Sequence, residues 1–194
     1  MKLILMIAVW FTATQTLPVF GKTKKPMKRE TASVPEAQIP APVANEVCFS
    51  PEGNCDVKLW KFLQGAKKSL DIAIFDLTHE KIAHEIAVAS KRIPVRVIVD
   101  RRQAKGNHSV VPTLIRAGVD VRFGYQRGIM HNKFCLKDQT WLETGSFNFT
   151  SGASTKNNEN QIYLNHPEIV QKYQNRFNDL WEVAVPATSQ ISRH

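Results

Sequence analysis

Glycine is sparse, nine in 194 residues, and Gly124, Gly128 and Gly145 keep none of the spacing of a Walker or Rossmann phosphate loop. A metallohydrolase helix is missing as well. HEKIAHE, from His79 to Glu85, needs its second ligand four residues after the first, where Ala83 stands. His84 falls one residue late and off the face. Cysteine is scarce too: Cys48, Cys55 and Cys135 are the whole supply, and no nearby Cys or His completes a metal site around the first two. No metal site and no cofactor are therefore expected. Acid is outnumbered by base, 17 to 26, for a formal charge of +9. Residues 1–29 hold six Lys/Arg and no acid, so the remainder carries only +3. Net charge alone does not argue for a nucleic-acid partner.

The chain is long enough for one globular domain with appendages. Residues 1–21 read as a signal peptide or an N-terminal anchor. LILMIAVWF has the length of a secretory apolar core, and Val19-Phe20-Gly21 offers a small-residue cleavage site. Lys22, Lys24, Lys25, Lys28 and Arg29 follow, and positive charge there favours keeping that side cytoplasmic. A periplasmic or secreted location is the first expectation; membrane association through the N-terminal segment is the second. Residues 22–45, basic and then Pro/Ala-rich, form a linker. The domain spans 46–185, with a tail at 186–194.

Within the domain, strand and helix patterns alternate. Strands are expected at Glu46–Phe49, Ser69–Leu77, Pro94–Val99 and Val119–Phe123, then near 130–136, 140–144 and 159–164. Helices are expected at Asp56–Lys67, from an N-cap at Thr78 to Ser90, at Ser109–Ala117 closed by Gly118, and at Pro167–Val183. The order implies an α/β fold with a mixed β-sheet sandwiched between helices.

The chemistry concentrates between His131 and Glu159, HNKFCLKDQTWLETGSFNFTSGASTKNNE. His131, Lys133 and Asp138 stand in the spacing H-x-K-x4-D. In a strand, residues two apart share a face, so His131 and Lys133 point one way, while Asn132, Phe134 and Leu136 point the other. Cys135 shares the face of His131 by parity and reads as a small buried filler. Ser146 and Asn148 repeat the spacing in the next extended segment. An imidazole, an ammonium, a hydroxyl and an amide on neighbouring strands make a pocket for a tetrahedral anion.

HNKFCLKD followed by GSFNFT resembles the HKD motif of the phospholipase D superfamily. The single copy, the spacing to Glu159 and the small size resemble the compact bacterial endonucleases of the Nuc type, over residues 46–183. The resemblance implies the phospholipase D/nuclease fold with one HKD motif per chain. It also implies a homodimer that pairs two motifs, and a metal-free phosphohistidine route. On that model the catalytic set is His131, Lys133, Asp138 and Glu159, with Lys133, Ser146 and Asn148 binding phosphate. Glu159 is expected to bond the far imidazole nitrogen and fix its tautomer. Asp138, at the strand end, is assigned to tying the turn rather than to chemistry.

One imidazole cannot serve both sides of a single phosphorus, so a site with one motif needs a second copy. A sequence-nonspecific endonuclease acting on DNA or RNA is the favoured expectation. A phospholipase acting on cardiolipin or a related lipid is the alternative, and a nucleic-acid-binding protein that kept only the fold is the non-enzymatic one. Arg101, Arg102 and Lys105 follow the strand at 94–99, where ligands usually sit in open α/β sheets. With Arg122 and Arg127 they are candidate contacts to a nucleic-acid backbone. Cys48 and Cys55 flank a Ser-Pro-Glu-Gly-Asn turn and are expected to bridge if the protein is exported.

Overall fold

The computed structural model describes residues 45–124 and 128–187. The expected leader and linker, Arg127, and the tail beyond Ala187 lie outside the described residues. Among the described residues, no helix is long and apolar enough to cross a membrane.

Eight strands and five α-helices alternate along the chain. They run β1 (Glu46–Ser50), α1 (Cys55–Gln64), β2 (Leu70–Ile74), α2 (Glu80–Ala89), β3 (Val95–Val99), α3 (Val111–Arg116) and β4 (Asp120–Phe123). Then come β5 (Lys133–Lys137), β6 (Trp141–Gly145), α4 (Ser151–Thr155), β7 (Glu159–Leu164), α5 (Pro167–Val183) and β8 (Val185–Pro186). All eight strands form one sheet in the order β1-β7-β6-β5-β2-β3-β4-β8. The β2–β3 and β3–β4 pairs are parallel. The remaining pairs are antiparallel, so the sheet is mixed as expected.

Strand β2, LDIAI, is buried along its whole length, as a central strand covered on both faces must be. One apolar layer takes Leu59, Leu63, Ile82, Ile86 and Leu114 from α1, α2 and α3 together with Ile72, Ile74 and Cys135 of the sheet. The opposite layer joins Ala73, Ile98, Phe134 and Leu136 to Val170, Phe177, Leu180 and Trp181 of α5. The parity of β5 is thus satisfied: Phe134 and Leu136 face α5, and Cys135 faces the other helices.

Several boundaries moved for identifiable reasons. Helix α1 stops at Gln64, short of Lys67, because the N–H groups of Lys67, Lys68 and Ser69 all donate to the Asp138 carboxylate. Helix α2 has His79, not Thr78, at its N-cap, because the N–H groups of both residues donate to the Phe149 carbonyl. Helix α3 is trimmed to six residues and is followed by Gly118 at φ +84°. Two short elements escaped periodicity: α4, too brief to show one, and β8, whose two residues pair with β4.

Candidate active site

The site is built where β2 and β5 meet. Their antiparallel register places Ile74 opposite Lys133 and Leu70 opposite Lys137. The carboxyl ends of the parallel strands β2 and β3 therefore coincide with the amino end of β5. This is the side of an open α/β sheet on which ligands are usually held.

His131 stands two residues before β5 rather than inside it. The preceding residue explains why: the Met130 N–H donates to Asp100 Oδ2 at 3.0 Å instead of joining the ladder. Asp100 is buried, and its other oxygen accepts from the N–H groups of Arg102 and Gln103. One carboxylate thus fixes both the loop after β3 and the approach to His131. Gly124 completes the arrangement, since a Cβ there would lie 2.5 Å from Met130 Cγ. The imidazole is exposed and meets the Phe75 ring edge-on at 4.7 Å between centroids. Lys133 reaches back to donate from Nζ to the His131 carbonyl at 3.0 Å, with its ammonium 5.0 Å from the Phe75 centroid. Phe75, immediately after β2, holds the two side chains together. Burial pulls the Lys133 pKa below its ordinary value, while the carboxylates of Glu159 and Asp76 oppose the drop.

Ser146 and Asn148 follow the end of β6, and the expected alternation holds, with Phe147 and Phe149 fully buried between and beyond them. Gly145 is required by packing: a Cβ at this position would fall 2.0 Å from the Asn160 carbonyl oxygen. That close approach lets the Ser146 hydroxyl donate to Glu159 Oε2 and accept from the Asn160 N–H at 3.1 Å. Asn148 Oδ1 is buried with no hydrogen-bond partner among the described residues, an amide held in place with unused capacity. The following residue, Phe149, donates its N–H to the Asp76 carbonyl at 3.1 Å and so binds this turn to the end of β2.

Two expectations need correction. Glu159 does not bond the His131 imidazole; its oxygens accept from Ser146 and from Asn157 Nδ2, the latter at 2.9 Å. Its place in the register, opposite Ser50 at the start of β7, directs it to the GSFN turn instead. Arg122 is not free to meet a ligand. Its guanidinium lies 4.1 Å over the Trp181 ring and donates to the Trp181 carbonyl, locking β4 to α5.

Asp138 sits at the opposite end of β5 from Lys133, in a left-handed backbone conformation (φ 57°). It accepts the backbone N–H groups of residues 67–69. Burial works to raise its pKa, but those bonds and Lys137 outweigh it and hold the carboxyl below the ordinary value. Its geometry is that of a tie between α1 and β5. Arg102 and Lys105 are exposed at the carboxyl end of β3, while Arg101 is half-buried and its Nε has no hydrogen-bond partner among the described residues. Cys135 is fully buried, which pushes its thiol well above the ordinary range. Cys48 and Cys55 are joined as a disulfide. Among the described residues, no three His, Cys, Asp or Glu side chains converge as metal ligands.

Phe75, Asp76 and Asp100 were not singled out in the sequence. Each follows the last residue of a parallel strand by one or two positions. That place at the carboxyl edge was their one readable signal.

A family model described as "Cardiolipin synthase, PLD-like domain" matches residues 59–181. The chain belongs to the phospholipase D-like family. Within it, the mitochondrial cardiolipin hydrolase of Xenopus laevis is 37% identical over 127 residues, 65% of this chain and 60% of the relative. Among solved structures, Nuc of Salmonella typhimurium, a phospholipase D family member, superposes with a TM-score of 0.71 at 29% identity. That match covers 75% of this chain and 98% of Nuc. NucT of Helicobacter pylori gives a TM-score of 0.68 at 25% identity, covering 75% of this chain and 99% of NucT. The phospholipase D-like fold is thus matched across nearly all of the two Nuc-type structures.

Proposed function

We propose that this protein is a phosphodiester hydrolase that cleaves DNA or RNA with little sequence preference, as a homodimer and through a phosphohistidine. The observation that carries the reading is that His131, Lys133, Ser146, Asn148 and Glu159 fall at one edge of the sheet, where β2, β3 and β6 end and β5 and β7 begin, with a single imidazole in the set. Two copies related by a dyad supply the second imidazole.

In the first step, a ring nitrogen of one His131 attacks phosphorus and forms a P–N bond. The bond to the leaving oxygen breaks as the second copy's His131 gives that oxygen a proton. In the second step, that His131 takes a proton from water, the water oxygen attacks phosphorus, and the P–N bond breaks. Lys133 and the Asn148 amide face the non-bridging oxygens, where fixed donors are worth about 3–4 kcal/mol each in the transition state. No step calls for a metal ion. Glu159 acts through Ser146, holding the hydroxyl and the GSFN turn in place.

Nucleic acid is favoured by the near-complete coverage of Nuc and NucT and by exposed Arg102 and Lys105 at the same edge of the sheet. A second reading, hydrolysis of cardiolipin or a similar phospholipid, is favoured by relatives named for that activity, of which this chain spans 55% to 60%. The Cys48–Cys55 disulfide supports export, since such bridges persist in oxidising compartments. On this reading the protein is periplasmic or secreted, and the apolar N-terminal run is its export signal or its membrane anchor.

The test is a substrate panel in EDTA with purified protein: single-stranded and duplex DNA, RNA, and cardiolipin vesicles. Cleavage of nucleic acid that is lost in His131→Ala supports the proposal. Cleavage confined to cardiolipin replaces it with the second reading, and activity restored only by added divalent metal contradicts the mechanism.

A further inference from the structure

Among the described residues, Asp76 is a carboxylate beside the site that neither the proposed chemistry nor the hydrogen bonds holding the loops, as those of Asp100 do, put to use. The sheet delivers it there. Strand β2 ends at Ile74, opposite Lys133, and the chain continues through Phe75, which touches both His131 and Lys133, to Asp76. Its backbone is held by the Phe149 N–H and by the bridge between Leu77 and Phe149. By strand parity Asp76, two residues after Ile74, lies on the Lys133 side of the sheet; burial raises its pKa, while the Leu77 N–H and the Lys133 charge oppose the rise, and at pH 8 the carboxylate is ionised. Among the described residues no side chain donates a hydrogen bond to that carboxylate. Glu159 differs, because both of its oxygens already accept hydrogen bonds from Ser146 and Asn157.

A fixed negative charge beside a phosphate-binding lysine opposes binding of the anion it is meant to serve, so its presence calls for an account. A phosphodiester carries one negative charge. The monoester left by its hydrolysis carries close to two near neutral pH, because its second ionisation lies at about 6. Each charge on the bound phosphate meets the same carboxylate, so the second one adds a penalty that the diester does not incur. At an effective dielectric constant of about 40, between bulk water and a protein surface, and a separation of about 6–8 Å, that penalty corresponds to about five- to tenfold in affinity.

We propose that Asp76 is a charge filter: it admits the mono-anionic diester on Lys133 and expels the dianionic monoester, setting specificity and promoting product release. The proposal rests on the phosphodiesterase reading above. Phe75 contributes by fixing where the Lys133 ammonium lies relative to the filter.

The experiment compares wild type, Asp76→Asn and Asp76→Ala at pH 8, low ionic strength and in EDTA, with bis(p-nitrophenyl) phosphate as substrate. Diphenyl phosphate and phenyl phosphate serve as competitive inhibitors with one and two negative charges. The filter predicts that both variants bind phenyl phosphate about five- to tenfold more tightly relative to diphenyl phosphate than wild type does, and that added salt shrinks the difference. Asp76→Asn keeps the shape, so a change shared by both variants follows charge and not packing. An unchanged inhibitor ratio in an active wild type and both variants overturns the filter alone. A wild type that hydrolyses none of the phosphodiesters tried removes the activity reading, and the filter with it.

Discussion

His131 and Lys133 are held side by side because Phe75 stands against both and Asp100 turns the chain into position ahead of them. The account predicts that His131→Ala lowers phosphodiester hydrolysis by at least about 10³-fold, as removal of an attacking group does elsewhere. Lys133→Met, read in kcat by the same assay, is expected to lose about 10²- to 10³-fold, the usual cost of one charge-stabilising donor. Asp138 should behave differently, because its three backbone donors lie at the far end of β5. Asp138→Ala is expected to cost about 1–3 kcal/mol of stability by leaving those N–H groups without their acceptor. Denaturant unfolding measures that loss, and activity per folded molecule should persist. The Asp138 pKa is depressed in the folded state, so its contribution is present above the unfolded carboxylate value and is lost as pH falls through the folded one.

At the scale of elements, the site depends on where strands stop. The last residue of β6 is glycine because the Asn160 carbonyl approaches too closely for any side chain. Gly145→Ala should therefore push the GSFN turn off Glu159 and lower activity more than it lowers the melting temperature. The disulfide closes a short loop between β1 and α1, and loop entropy assigns it about 2.5 kcal/mol. Unfolding of a Cys48→Ala/Cys55→Ala double variant beside wild type tests that figure. These elements also show what could be read from residues alone. The alternation in HNKFCLKD put Phe134 and Leu136 in one core layer and Cys135 in the other, and α5 appeared at its expected bounds. Glu159 was correctly placed in β7, yet its partner was misread, because cross-strand register is not written in any one strand. Asp76 and Phe75 carried only their place after a parallel strand as a signal, because it is the pairing of β2 with β5 that brings them to the motif.

Across the whole molecule, one buried acid makes stability depend on pH. Glu143 lies inside the sheet's helical face between Cys135 and Tyr163, and burial pushes its pKa up to about 8. A carboxyl raised in the folded state contributes stability that is complete below its unfolded value and is lost as pH climbs through about 8. Thermal unfolding should show the melting temperature of wild type falling across that window, with Glu143→Gln flattening the curve. An equal slope in both proteins would show that Glu143 is not the group responsible.

In the proposed mechanism the whole molecule is a pair of chains acting on one phosphorus, and this is its central feature. It is tested by rapid acid-free quenching during turnover of an oligonucleotide labelled at the scissile phosphate, followed by counting label on the protein and locating it. The account predicts label on His131 approaching one per two chains, in a species that sediments as a dimer. Label on no histidine, or full activity and one label per chain in a monomer, would contradict it.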